Sequence, residues 1–260
     1  MKKFIIFLLL FLSFNCKCQA EVVKFIQVTD VHLTQNNAQY LKQFVKDANE
    51  KYKNVDFIVF TGDNIDDANQ KDLLLFLEII KNLKIKTYVL VGNHDLFKFH
   101  EMTKENYMAL VRKKLGHYHS KNANYVIKKK DIVFIAMNGV KEVIPMPNGY
   151  FRENELIWLD KMLTKYSNKK VVILQHFPLI NARSSGHNLY KKNTYEEVLK
   201  KHNNVISIIS GHYHENEEKK ENNIYHIVTE NFQDNRFYKL IEIDTNDDMI
   251  FTILVDNKEN

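Results

Sequence analysis

Val205-Ile206-Ser207-Ile208-Ile209-Ser210-Gly211-His212-Tyr213-His214 runs a β-branched apolar segment straight into a glycine and two histidines. Six residues of that composition, closed by glycine, read as a buried strand. His212 and His214 then stand where the chain leaves the sheet, and at i, i+2 in an extended segment they project to one side. The same design recurs upstream. Val55–Thr61 ends in Gly62-Asp63-Asn64, and Lys86–Val91 in Gly92-Asn93-His94-Asp95. Val22–Thr29 ends in Asp30-Val31-His32, and Val171–His176 closes on Gln175-His176. Only seven glycines occur in 260 residues, so three of them directly after candidate strands mark those positions.

Between these strands and a sixth, Ile132–Met137, four segments carry apolar residues at three- and four-residue spacing: Gln39–Tyr52, Asp72–Asn82, Lys104–Leu115 and Glu153–Lys165. They are expected to be amphipathic helices. Alternation of strands and helices predicts an α/β fold with a largely parallel sheet. Ile224–Val228, Tyr238–Ile243 and Ile250–Val255, separated by Asn/Asp turns, are expected to pair antiparallel. In parallel sheets the carboxyl ends of the strands meet at one edge, where ligands bind. The five strand ends can therefore converge although they are far apart in sequence.

Composition narrows the chemistry. With 45% hydrophobic and 27% charged residues the chain has material for one core, which excludes disorder as its main state. Phe4 to Phe14 is apolar but too short to span a bilayer, which takes roughly 20 residues. Lys2 and Lys3 before it and Cys18-Gln19-Ala20 after it read as a secretory signal peptide over 1–20, with a single domain over 21–260. The expected location is secreted or periplasmic; the alternatives are an uncleaved anchor and a lipidated Cys16. Both cysteines, Cys16 and Cys18, lie inside that leader, so the mature domain has no thiolate ligand, nucleophile or disulfide. Three of the 37 basic residues and no acid lie in 1–20, which lowers the formal charge from +5 to +2. No nucleic-acid or membrane footprint follows from that balance. Imidazole, carboxylate and amide without sulfur are a donor set for borderline and hard cations.

Asp30-x-His32, Gly62-Asp63-Asn64, Gly92-Asn93-His94-Asp95, isolated His176 and Gly211-His212-x-His214, in this order, resemble the calcineurin-like metallophosphoesterase superfamily. The motif pattern is most similar to its cyclic-nucleotide and sphingomyelinase-like phosphodiesterase branch. Purple acid phosphatases carry tyrosine where this chain has Asp66, and phosphoprotein phosphatases carry Arg-Gly where it has Asp67-Ala68. The resemblance implies a two-sheet β-sandwich flanked by helices (four layers, αββα) and two divalent or trivalent metal ions, Mn, Zn or Fe. By resemblance the first metal takes Asp30, His32, Asp63 and His214, and the second takes Asp63, Asn93, His176 and His212. His94 faces the substrate and protonates the leaving oxygen, Asp95 orients His94, and a metal-bound hydroxide attacks a small phosphate ester. Asn64 and His187 are candidate substrate contacts. The expected function is an exported phosphoesterase acting on diesters; a phosphomonoesterase, a nuclease and a non-catalytic binding protein of this fold are the alternatives. Gly116-His117-Tyr118-His119 repeats the ligand tetrapeptide, but it follows a helix and breaks the motif order, so it is expected to be an exposed loop.

Overall fold

β-Branched and aromatic runs with two-residue periodicity build two mixed sheets in the computed structural model, which describes residues 22–116, 119–144, 146–181, 187–246 and 249–258. The expected leader and its cleavage point lie outside the described residues. One sheet contains β1 (Val22–Val28), β2 (Phe57–Phe60), β3 (Thr87–Val89), β10 (Phe237–Asp244) and β11 (Met249–Asp256), in the order β11-β10-β1-β2-β3. The other contains β4 (Tyr125–Lys129), β5 (Ile132–Met137), β6 (Lys170–Gln175), β7 (Val205–Ser210), β8 (Glu217–Glu221) and β9 (Ile224–Val228), in the order β4-β5-β6-β7-β9-β8.

Alternation assigns each strand two faces. Val23 and Phe25 of β1, Phe57 and Val59 of β2, Phe134 of β5, Leu174 of β6 and Ile209 of β7 fill the space between the sheets. Phe134 stands edge-on to both Phe25 (5.3 Å) and Phe57 (5.0 Å), which ties the sheets through one aromatic group. Ile26 and Val28 point the other way, into a cluster shared with the helices. The helices are α1 (Ala38–Lys51), α2 (Gln70–Ile80), α3 (Lys104–Leu115), α4 (Glu153–Lys165) and α5 (Lys192–Leu199). α2 packs between α1 and α3, and α4 packs on α5, completing the αββα layers.

Several sequence readings need correction. β10 and β11 pair antiparallel as expected, but β9 runs parallel to β7 and antiparallel only to β8. β8, Glu-Glu-Lys-Lys-Glu, is an edge strand made wholly of charged residues, a composition that discourages pairing with another chain. Gly116 ends α3 with φ of 108°, a backbone angle that favours glycine, and its N–H bonds the Arg112 carbonyl (3.0 Å). Beyond it His117 lies outside the described residues. His119 is buried against Tyr88 instead of forming an exposed loop. No helix of the described residues is long and apolar enough to cross a membrane.

Candidate metal centre

β1, β2 and β3 end at the same edge of the sandwich as β6 and β7, so loops from both sheets face one another. Asp30, His32, Asp63, Asn93 and His94 come from the first sheet; His176, His212 and His214 come from the second. Asp63 occupies the middle. Its Oδ2 lies 3.7 Å from His32 Nε2 and 3.2 Å from His176 Nε2, on opposite flanks. Asp30 Oδ1 lies 3.4 Å from His214 Nε2 and 4.0 Å from His32 Nε2. Asn93 Oδ1 is 3.2 Å from His176 Nε2. Three groups result in which every ligand atom lies within 4.8 Å of the others: Asp30–His32–His214, Asp63–His176–His212 and His32–Asp63–His94.

The loops are bent to make this possible. Asp30, His32, Asp63, His212 and His214 all have φ between 41° and 73°, a left-handed conformation that non-glycine residues seldom adopt and that gathers at functional sites. Two glycines permit the close approach. A Cβ on Gly92 would overlap the Asp63 carboxylate, and one on Gly211 would overlap the Thr29 hydroxyl and the Asp30 carboxylate. Backbone and neighbouring groups then aim the ligands. Thr29 Oγ1 and the His212 N–H both donate to Asp30 Oδ2, at 2.7 and 2.9 Å, leaving Oδ1 for the centre. His94 N–H donates to Asp63 Oδ1 (2.9 Å). His176 Nδ1 lies 3.1 Å from the Thr61 carbonyl and His212 bonds the Pro147 carbonyl, so each ring turns its Nε2 inward. Carbonyl partners of this kind fix the tautomer of metal-binding histidines.

Charge and solvation favour cations here. Burial opposes ionisation of Asp30, but His214 and His176 hold its carboxyl down at about 2. Asp63 is held well below the usual carboxylate range, chiefly by His176, against the same burial. Burial pushes His212 down to about 4, so it is neutral and able to ligate. Burial also disfavours charge on His176, yet the neighbouring Asp63 carboxylate lifts it to about 9. Meanwhile Asp30 Oδ1, both His32 ring nitrogens and His212 Nε2 are buried without a hydrogen bond. Unpartnered buried polar atoms are costly, by roughly 1–3 kcal/mol each, and Asp30 Oδ1, a His32 ring nitrogen and His212 Nε2 belong to the groups above, where cations would satisfy them.

Two expectations change. Asp95 does not reach the His94 ring; its carboxylate accepts from the N–H groups of Gly92 (2.7 Å), Asn64 (2.8 Å) and Ile65 (3.1 Å), knitting the β2 and β3 loops together. Burial first, then the Asp63 charge, raises its pKa to about 7. His94 is oriented instead by Asp66, whose carbonyl lies 2.7 Å from Nδ1. The Asp66 carboxylate also approaches His32 Nδ1 (3.4 Å), a position three residues beyond the central aspartate that the motif spelling had marked only as a departure. Asn64 is fully buried, its amide nitrogen bonded to Leu90 O, Asp95 Oδ2 and the Tyr107 hydroxyl. It supports the loop from beneath and does not line the opening. His187 is exposed, its ring 5.6 Å from that of His212, at the rim of the centre.

A family model described as calcineurin-like phosphoesterase matches residues 23–216. The chain belongs to this family. A calcineurin-like phosphoesterase is a metal-dependent enzyme on phosphate esters, in keeping with the donor set above. Among its relatives, a probable glycerophosphodiester phosphodiesterase of Arcobacter nitrofigilis is 25% identical over 202 residues, covering 73% of this chain and 71% of that one. A 3′,5′-cyclic adenosine monophosphate phosphodiesterase of Haemophilus influenzae is 24% identical, covering 78% and 74%. The crystal structure of a dimetal phosphatase from Danio rerio superposes with a TM-score of 0.66 at 16% identity, covering 89% of this chain and 98% of that one. At that identity the superposition speaks to the fold alone.

Proposed function

We propose that this calcineurin-like phosphoesterase is an exported hydrolase of small phosphodiesters that works with two cations sharing Asp63. The observation that carries the reading is the central Asp63 carboxylate, flanked by two groups of unpartnered or oppositely charged ligands. Asp30, His32, Asp63 and His214 would hold one cation; Asp63, Asn93, His176 and His212 would hold the other. When bound, such cations polarise phosphoryl oxygens and lower the pKa of coordinated water to about 7. The names of both relatives favour diesters as substrates.

The chain's own residues supply the rest. His94, exposed at the opening and packed edge-on to His32 at 4.6 Å, has its Nδ1 fixed by the Asp66 carbonyl. Its Nε2 is then free to hold the proton that the leaving oxygen takes up. His187, beside His212, contacts a non-bridging oxygen or the ester group that stays on phosphorus. Asp95 acts one step back, by keeping the loops that carry Asp63 and Asn93 in register. Export follows from residues 1–20 read as a leader, with the domain in 21–260.

The test is hydrolysis of bis-p-nitrophenyl phosphate by protein loaded with Mn, Zn or Fe. Asp63→Ala and His94→Ala should each lower turnover at least about 100-fold, from lost metal positioning and lost proton transfer. Near wild-type turnover in Asp63→Ala ends the reading.

A further inference from the structure

Beyond His94 the molecule has a cavity of about 270 Å3. It is near the lower end of pockets that take small organic ligands, roughly 300–1,000 Å3. His94 and Asn93 form its inner end, so it opens from the metal centre. Ala68, Leu96, Phe97, Met146 and Pro147 wall it with carbon. No lysine or arginine is among the described residues that line it; its acids are Asp66 and Asp67.

The wall is held in place. Glu142 accepts from the backbone N–H of Lys98 through its carbonyl (2.7 Å) and from that of Lys104 through its carboxylate (2.9 Å). These two bonds hold Glu142, in the segment that precedes Met146, against the loop carrying Phe97. Met146 nevertheless remains 43% exposed and its neighbour Ile144 64% exposed. Apolar side chains exposed beside a reactive centre are suited to an apolar part of a ligand.

We propose that this cavity is the leaving-group subsite and that it selects an uncharged, apolar leaving group. The proposal rests on the hydrolase reading above: if His94 protonates the leaving oxygen, the body of that alcohol lies past His94, against Phe97 and Met146. The P–O bond to that oxygen breaks, the oxygen takes the His94 proton, and water supplies the new P–O bond. Asp66 and Asp67 repel an anionic leaving group, and among the described lining residues no lysine or arginine offsets them, His94 and His100 being the other titratable groups. Met146 and Phe97 are specificity-determining residues on this view.

The experiment uses two methyl aryl phosphodiesters whose phenols are matched in acidity, one ring uncharged and the other bearing a carboxylate. Metal-loaded wild type is expected to favour the uncharged ester by about tenfold or more in kcat/KM, mainly through KM. Met146→Lys, an exposed position with little bearing on folding, should shift the preference at least about tenfold toward the carboxylated ester. Equal kcat/KM for the two esters, or no shift in Met146→Lys, overturns the subsite and leaves the hydrolase reading standing. Hydrolysis of neither ester ends the hydrolase reading instead. A separate measurement on metal-free protein then decides the cavity: benzyl alcohol should move the Met146 methyl resonance while benzoate does not, and an unmoved or benzoate-selective resonance overturns the proposal.

Discussion

Gln27 is where the two sheets are bonded to each other beneath the metal centre. It is fully buried on β1, and its Nε2 donates to Thr61 Oγ1 (2.9 Å) and across the sandwich to the Ser210 carbonyl (2.9 Å). Its Oε1 accepts from Thr229 Oγ1 (2.6 Å). Gln27→Leu keeps the bulk and removes all three bonds. Ser210 O keeps the Thr229 N–H (3.0 Å) and Thr61 Oγ1 keeps the Val28 carbonyl (3.5 Å), but the Thr229 hydroxyl loses its acceptor. Two lost bonds at about 1 kcal/mol each and one stranded donor at about 1–3 kcal/mol give a cost of roughly 3–5 kcal/mol. That is a large share of a typical stability of about 5–15 kcal/mol, though short of unfolding the protein. Thr229→Val alone strands Gln27 Oε1 and should cost about 1–3 kcal/mol. The double variant leaves neither group stranded, so it should be less destabilised than the sum of the singles by at least about 1 kcal/mol. Urea unfolding of the metal-free protein measures all four corners of the cycle. Additivity within about 0.5 kcal/mol, or a Gln27→Leu cost below about 1 kcal/mol, refutes the reasoning. Thr61 and Ser210 lead directly into Gly62-Asp63 and Gly211-His212. Folded Gln27→Leu should therefore also bind Mn or Zn tenfold or more weakly by chelator competition, the scale seen when groups supporting metal ligands are removed.

Gly211→Ala places a methyl where the Thr29 hydroxyl and Asp30 carboxylate sit, and should lower metal content by at least about tenfold with secondary structure kept, as read by elemental analysis and circular dichroism. Lys239 is fully buried and bonds Glu218 at 2.7 Å, whereas Glu218 is 42% exposed. Glu218→Ala leaves the ammonium buried alone and should cost about 3 kcal/mol, while Lys239→Met frees a carboxylate that water can reach and should cost less than about 1 kcal/mol; the reverse order in urea unfolding contradicts this account. Burial holds His226 at about 4, below its ordinary 6.5, with Glu221, Lys192, Glu196 and Lys219 as its charged neighbours. The unfolded chain then binds the extra proton between these values, so stability falls as pH drops from 6.5 toward 4, by up to about 1.4 kcal/mol per pH unit from this residue. His226→Gln should flatten the urea midpoint between pH 7 and 5, and an unchanged pH dependence counts against it.

Boundaries legible in the sequence are those set by local chemistry. Lys104–Leu115 is recovered to the residue because Thr103 caps its start, accepting from the Asn106 N–H, and Gly116 ends it. α5 is not legible: its N-terminal neighbour Lys191 is left-handed and provides no cap, and in only eight residues its three buried ones, Tyr195, Val198 and Leu199, make a single apolar repeat. β8 contains no apolar residue and becomes a strand only because β9 pairs with it. Spacing likewise finds the ligand loops, since each follows a buried run, but it cannot say which way a side chain turns. Asp95 stands beside His94 in the sequence, while the β3 turn points its carboxylate back to the β2 loop and leaves Asp66 to hold the imidazole. Asn64 follows Asp63 and is turned into the interior, toward Tyr107, for the same reason.

How the ligands are divided between the sheets accounts for the strain in their loops. The first sheet contributes the candidate oxygen ligands Asp30, Asp63 and Asn93 with His32, and the second contributes the candidate ligands His176, His212 and His214. Neither sheet alone offers a complete set, so the centre exists only where the sandwich is closed, above Gln27 and the Phe25–Phe57–Phe134 cluster. Left-handed backbone at five ligand positions and four unpartnered buried atoms all act against folding in the absence of a cation. Such costs persist when the surrounding structure over-determines them and a bound group relieves them. A structural loop with no ligand to hold would relax most of them by placing asparagine or glycine at the left-handed positions and by letting water reach the histidines. Among the described residues the other left-handed non-glycine positions, Glu101, Lys130, Lys191, Asn222, Asn223 and Arg236, are exposed or half-buried, whereas Asp30, His32, Asp63 and His212 are buried, which is the arrangement expected if the loops are shaped by what they bind.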